Sequence, residues 1–207
     1  MSFYRLYRRF RYGEPVVVVS GLPRSGTSML MKMLEAGGVP IVQDGVRTAD
    51  EDNPKGYYEH ERVKNLAEEA DRAWLGVARG KAIKIISHLL RQLPADLNYK
   101  VLLVRRDIRE VLASQAKMLE RRGEPNGADD DQMAELLEGD IWRAGYLLKN
   151  APHFEFLEVV YTSVLGDARG EARRISGFLG GRLDVERMVG VVDRQLYRNR
   201  ADGDGPD

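Results

Sequence analysis

Four consecutive valines, Val16 to Val19, form an apolar run that stops at Gly21. A short run with no polar alternation reads as a strand buried on both faces. Strands are predicted at 15–20, 81–87, 99–105 and 154–161. Between and after them, apolar residues recur at three- and four-residue spacing. This predicts helices at 25–37, 59–72, 107–121, 131–149 and 164–179, with a last short one near 184–191. Strands that alternate with helices predict an α/β fold, a central parallel sheet covered by helices on both faces. Such a sheet binds ligands at the carboxyl ends of its strands, where Arg24, Ser87 and Arg106 fall.

The break after the first strand carries the most chemistry. Residues 21–28 read Gly-Leu-Pro-Arg-Ser-Gly-Thr-Ser and lead directly into a helical pattern. Loop N–H groups and the positive end of the helix dipole then converge on an anion. A nucleoside-triphosphate loop of this kind reads GxxxxGK[ST], with its lysine on the terminal phosphates and its hydroxyl on Mg²⁺. Gly21 and Gly26 hold that spacing, but Thr27 stands at the lysine position and the basic residue is Arg24, inside the loop. The pattern suits a phosphate-like anion better than Mg-ATP.

This loop resembles the 5′-phosphosulfate loop, PKSGT or PRSGT, of sulfotransferases that use 3′-phosphoadenosine-5′-phosphosulfate (PAPS). The resemblance implies a three-layer P-loop-type fold, and it implies that Pro23, Arg24, Ser25, Gly26, Thr27 and Ser28 hold the nucleotide's 5′ end. A second segment fits it. Tyr99 to Arg106 is a strand ending in two arginines, and Ser114 follows Arg106 by eight residues, in the next helix. The family binds the nucleotide's 3′-phosphate with an arginine and a serine at that spacing, so Arg106 and Ser114 are the implied anchors; the other reading is an arginine pair at a strand end that meets solvent or a carboxylate. A guanidinium forks onto phosphate oxygens and a hydroxyl adds one more bond.

Two further segments bear on catalysis. Asn53-Pro54-Lys55-Gly56-Tyr57-Tyr58-Glu59 is similar to a run in bacterial sulfotransferases, and Glu59 is read as the base that deprotonates the acceptor. Its other reading is a first-turn helix carboxylate. His60 and His88 are alternative bases. Lys84, on the second strand, matches a family lysine that reaches the transferring sulfuryl group; its other reading is an exposed lysine on an edge strand. Animal enzymes carry a catalytic histidine two residues after that lysine, where this chain has Ile86. Tyr161 matches a family tyrosine, here followed by Thr162 rather than an acid, and Arg198 and Arg200 fall where the family closes a loop over the nucleotide. Met29 replaces the tryptophan that stacks on adenine in animal enzymes.

Composition narrows the rest. The chain has 207 residues, which suits one domain with a sizeable core. Residues 1–13 read as an N-terminal extension, with a basic, aromatic stretch at 3–12 that reads as docked, its other reading being contact with an acidic partner or a membrane surface, and 201–207 as a disordered tail. Residues 123–131 read as a mobile loop, either a lid or an inert linker. Lys plus Arg and Asp plus Glu both number 32, so bulk charge does not point to nucleic acid. There is no cysteine, which excludes disulfides and thiolate metal sites. The three histidines make no metal-ligand spacing, and no metal is expected. No apolar run reaches transmembrane length, and the N-terminus lacks the apolar core of a signal peptide, so the expected location is the cytoplasm. The resulting expectation is a PAPS-dependent sulfotransferase that releases adenosine 3′,5′-bisphosphate (PAP). Its acceptor would be a small molecule or glycan, and a homodimer is compatible with the chain. Two alternatives stay open: a P-loop small-molecule kinase or NTPase, and a non-catalytic nucleotide-binding protein.

Overall fold

A computed structural model describes residues 3–44, 58, 60–123 and 129–193. Its centre is a four-stranded parallel sheet in the order β2-β1-β3-β4, with β1 at Val16–Gly21, β2 at Ala82–Lys84, β3 at Tyr99–Arg105 and β4 at Phe154–Val160. β1 has a neighbour on each side and every one of its residues is buried. That burial on both faces is why its sequence shows no alternation.

Alternation reappears in where the side chains go. Val16 and Val18 enter one core with Tyr99, Val101 and Leu103, while Val17 and Val19 enter a second core with Leu102 and Val104. The two-residue period of a strand sends successive residues to opposite faces. The first core is covered by α5 (Asp130–Asn150) and by two short 3₁₀ helices, Ala73–Ala78 and Ser87–Gln92. The second is covered by α2 (Thr27–Ala36), α7 (Ala168–Leu179) and α8 (Val185–Gly190). The fold is therefore α/β in three layers, as the sequence predicts.

Several elements depart from the sequence-based expectation. Residues 3–12 form a helix, α1 (Phe3–Tyr12), where the sequence reads only as an extension. The strand expected over 81–87 pairs only as Ala82–Lys84; Ile85 still donates to the Val19 carbonyl (3.0 Å), but Ser87 already opens a 3₁₀ helix. The helix expected over 59–72 is the single turn α3 (Glu61–Lys64). Side chains compete there. Arg62 Nε and Trp74 Nε1 both donate to Glu69 (2.9 and 2.8 Å), and the Arg62 guanidinium lies 4.9 Å over the Trp74 ring. These bonds tie the segment into a compact turn. The helix expected over 164–179 is two helices, α6 (Tyr161–Gly166) and α7, divided at Asp167, whose carboxylate caps α7 by accepting from Gly170 N (2.8 Å). The remaining helix, α4 (Ile108–Arg122), begins at its predicted cap: Asp107 accepts from the backbone of Arg109 (2.8 Å) and Glu110 (3.4 Å).

Candidate functional site

The carboxyl ends of β1, β3 and β4 meet over a short stretch of loop. Leaving β1, the chain turns at Gly21, where φ is 153° and an added Cβ would stand 2.8 Å from both Ser25 Oγ and the Val104 carbonyl. Ser25 closes the turn on itself, its backbone N–H and its hydroxyl both donating to the Leu22 carbonyl (3.2 and 2.7 Å). Arg24 takes a left-handed φ of 66°, which is unfavourable for a side chain with a Cβ, on the order of 1–3 kcal/mol. Two bonds hold it there. Arg106 Nη1 donates to the Arg24 carbonyl (3.1 Å), and Arg24 Nε donates to Ser114 Oγ (3.1 Å).

Gly26 then opens α2 at φ 104°. Its α-carbon faces the Tyr161 ring so closely that an added Cβ would lie 2.4 Å from Tyr161 Cδ2. Among the described residues no side chain caps α2, so its first N–H groups face the loop with the dipole's positive end. Ser28 lies in the first turn, and Lys84 Nζ, from the end of β2, donates to its hydroxyl (3.4 Å).

Arg106 is the hub of the cluster. Its side chain is only 7% exposed, and Nε donates to Glu110 Oε2 (2.9 Å), whose side chain is 3% exposed. The guanidinium lies 4.5 Å from the centre of the Tyr161 ring. Tyr161 is itself buried, which pushes its phenol above the ordinary range; Arg106 opposes that shift, while Glu110 and Asp193 add to it. A cavity of about 760 Å³ opens beside this point. Ser25, Arg105, Arg106 and Arg109 stand on one side of it, Glu135 and Trp142 of α5 on the other.

The structure thus brings together Arg24, Ser25, Gly26, Ser28, Lys84, Arg106, Ser114 and Tyr161. Pro23 and Thr27 belong to the same loop and helix start, Thr27 buried. Glu59, Arg198 and Arg200 lie outside the described residues, as do 53–57, 124–128 and the 201–207 tail. Of the alternative bases, His60 stacks on Trp74 (4.9 Å, 16° between planes), with its Nδ1 buried and 4.0 Å from Asp44 Oδ2. His88 is exposed on the 87–92 helix. Ser87, at a strand end by sequence, instead donates to Asp140 of α5. Sequence reasoning misses Glu110, although its i, i+4 spacing from Arg106 is a readable signal. The packing of Tyr161 on Gly26 leaves no local signal, because it joins residues far apart in sequence.

Against this geometry, a model of the sulfotransferase domain matches residues 14–200, nearly the whole chain. The chain belongs to the sulfotransferase family. The sulfotransferase fold is also seen in solved structures of low identity. One is the sulfotransferase domain of the Synechococcus PCC 7002 olefin synthase, with a TM-score of 0.51, 16% identity, and coverage of 91% of this chain and 81% of that one. Another is a mouse sulfotransferase complexed with PAP, with a TM-score of 0.51, 18% identity, and coverage of 86% of this chain and 62% of that one. Comparison with curated protein sequences finds no match. Among the described residues no helix is long and apolar enough to cross a membrane.

Proposed function

We propose that this sulfotransferase transfers a sulfuryl group from PAPS to a hydroxyl or amine of a small-molecule or glycan acceptor. The observation that carries the reading is the loop at 21–26, a backbone cradle shaped by Gly21 and Gly26, where an added Cβ would strike Ser25, Val104 or Tyr161, opening onto a helix end uncapped among the described residues. A group with an anionic 5′ end fits such a cradle. PAPS, when bound, supplies the activated sulfuryl group. Residues 23–28 would hold its phosphosulfate, with backbone N–H groups and the α2 dipole aimed at the charge. Lys84, bonded to Ser28, brings a cation to that same helix start, where it would stabilise negative charge that grows on the leaving oxygen. Arg106 and Ser114 would bind the 3′-phosphate, and Tyr161 and the arginines at 198 and 200 would complete the nucleotide site. Glu59 would accept the acceptor's proton, with His60 or His88 as the alternative.

A kinase or NTPase reading requires a lysine at the position of Thr27, and the sequence has none there. Ligand-dependent unfolding separates the readings. PAP should raise stability without Mg²⁺, by about 2.7 kcal/mol at roughly 100 times its Kd. A larger gain from ATP with Mg²⁺ than from PAP would overturn the proposal. PAP binding without turnover of any acceptor would favour a non-catalytic nucleotide-binding protein. Glu59→Gln should lower turnover by roughly 10²- to 10⁴-fold with little change in PAP affinity; full activity in that variant would remove Glu59 from the mechanism.

A further inference from the structure

Helix α1 is built the wrong way round for a helix that packs on a globular core. Such a helix buries its apolar stripe and exposes its charges. In α1, Phe3, Leu6, Tyr7 and Phe10 recur at three- and four-residue spacing and so share one face. That face is open to solvent: Phe3 is 88% exposed and Phe10 92%. The opposite side makes the attachment. Arg8 donates to the Asn98 side chain (2.8 Å) and to the carbonyls of Leu97 (3.0 Å) and Ala95 (3.3 Å), and it lies over the Tyr12 ring (4.6 Å). Asn98 returns two bonds, to the carbonyls of Arg8 (3.0 Å) and Gly13 (3.1 Å). Arg79 donates to the Tyr12 carbonyl (3.1 Å). Polar bonds therefore hold the helix in place, with its aromatic side turned outward.

Charge selects the occupant of that face. α1 contains Arg5, Arg8, Arg9 and Arg11, and the first acidic residue of the chain is Glu14, which pairs with Arg9. A second copy of this chain would bring another all-basic helix against the first, and like charges would oppose the contact. A neutral apolar partner would offer no counter-charge to the exposed Arg9 and Arg11. An anionic lipid surface satisfies both features. Phe and Leu enter the boundary between headgroups and acyl chains, tyrosines sit at that depth by preference, and the exposed Arg9 and Arg11 meet the lipid phosphates. At ten residues α1 is about 15 Å long, suited to lying in the interface rather than crossing it. We propose that α1 is a docking element that seats the protein peripherally on anionic membranes. This inference is independent of the nucleotide and acceptor proposed above.

Sedimentation of the full chain with vesicles tests it. The protein should pellet with phosphatidylcholine vesicles that contain phosphatidylserine, bind pure phosphatidylcholine far more weakly, and detach at high salt as screening shortens to about 3 Å near 1 M. Phe3→Ala and Phe10→Ala should each weaken binding by about tenfold, and Arg11→Gln by about fivefold. Thermal unfolding of the variants should match wild type, because the altered side chains are solvent-exposed. A Phe10→Trp variant gives a second readout, in which its added fluorescence should shift to the blue when phosphatidylserine vesicles are added. Undiminished binding by the double alanine variant, or no shift from Trp at position 10, would overturn the proposal. So would failure of wild type to bind the anionic vesicles. In that last case a dimer that Phe10→Ala dissolves would identify the face as a contact between copies instead.

Discussion

Arg106 has two demands on one guanidinium. In this structure it neutralises the buried Glu110 and pins the Arg24 carbonyl, and in the proposed reaction it also meets the 3′-phosphate. Removing one member of a buried ion pair strands the other, typically at about 3–5 kcal/mol. Arg106→Ala should therefore lower unfolding stability by about that amount in the absence of nucleotide. Replacing both members, Arg106→Met with Glu110→Leu, should recover most of that loss, since no uncompensated charge remains. Calorimetric titration of the double variant then isolates ligand recognition. A lost charged bond corresponds to roughly 10- to 150-fold weaker PAP, while 5′-AMP, which lacks the 3′-phosphate, should change little. Equal losses for the two nucleotides would leave Arg106 a purely positioning role. Gly26 gives a second test at this scale. Gly26→Ala meets both an unfavourable φ of 104° and the Tyr161 ring, so it should cost about 2–4 kcal/mol of stability. Tyr161→Ala in the same chain should return only the steric share, and a double-mutant cycle on the two measures it.

At the scale of elements, the charge that Arg8 of α1 carries bears on His153. The His153 ring lies 4.2 Å from Phe154 and 6.0 Å from Tyr99. Burial first, and then the positive Arg8 of α1, lower its imidazole below the ordinary value of 6.5. The unfolded chain then binds the proton more readily, so the contribution of neutral His153 is complete above about 6.5 and is lost as pH falls through the lowered native value. His153→Gln should flatten the stability profile as pH falls below about 6.5, as read by denaturant unfolding at each pH. The strands and the long helices were legible because each has a dominant period or an unbroken apolar run. Asp107 was legible as a cap because capping chemistry is local. α1 was not, although Phe3, Leu6, Tyr7 and Phe10 carry helical spacing, because the stretch is short and its four arginines read first as a charged extension. The short α3 was not, because Glu69 accepts bonds from side chains five and seven residues away and overrides the helical pattern. In the site, Arg24 could be picked out from the loop's pattern, and Arg106 and Ser114 only through the family resemblance of their segment. The bonds that join them could not, since they cross about 80 to 90 residues.

For the molecule as a whole, β1 and β3 each contribute to both cores, so neither helical layer has a sheet of its own. Loss of one layer uncovers strands that the other requires. Equilibrium unfolding should accordingly be a single transition, with tryptophan fluorescence, to which Trp74 beside the first core contributes, coinciding with far-UV circular dichroism, which reports both helical layers. Separated midpoints would show that the layers unfold independently. The same parallel sheet gives the molecule two unlike poles. Asn98, which anchors α1, precedes β3 at the amino ends of the strands, while the 21–26 loop lies at their carboxyl ends. The six residues of β1 separate the two by about 20 Å. A protein moored to a bilayer through α1, as proposed, would hold the 21–26 loop at the pole away from the residue that anchors that helix. Acceptors of the proposed reaction would then arrive from solution or on extended chains, and the headgroups of the membrane that carries it would stay out of reach.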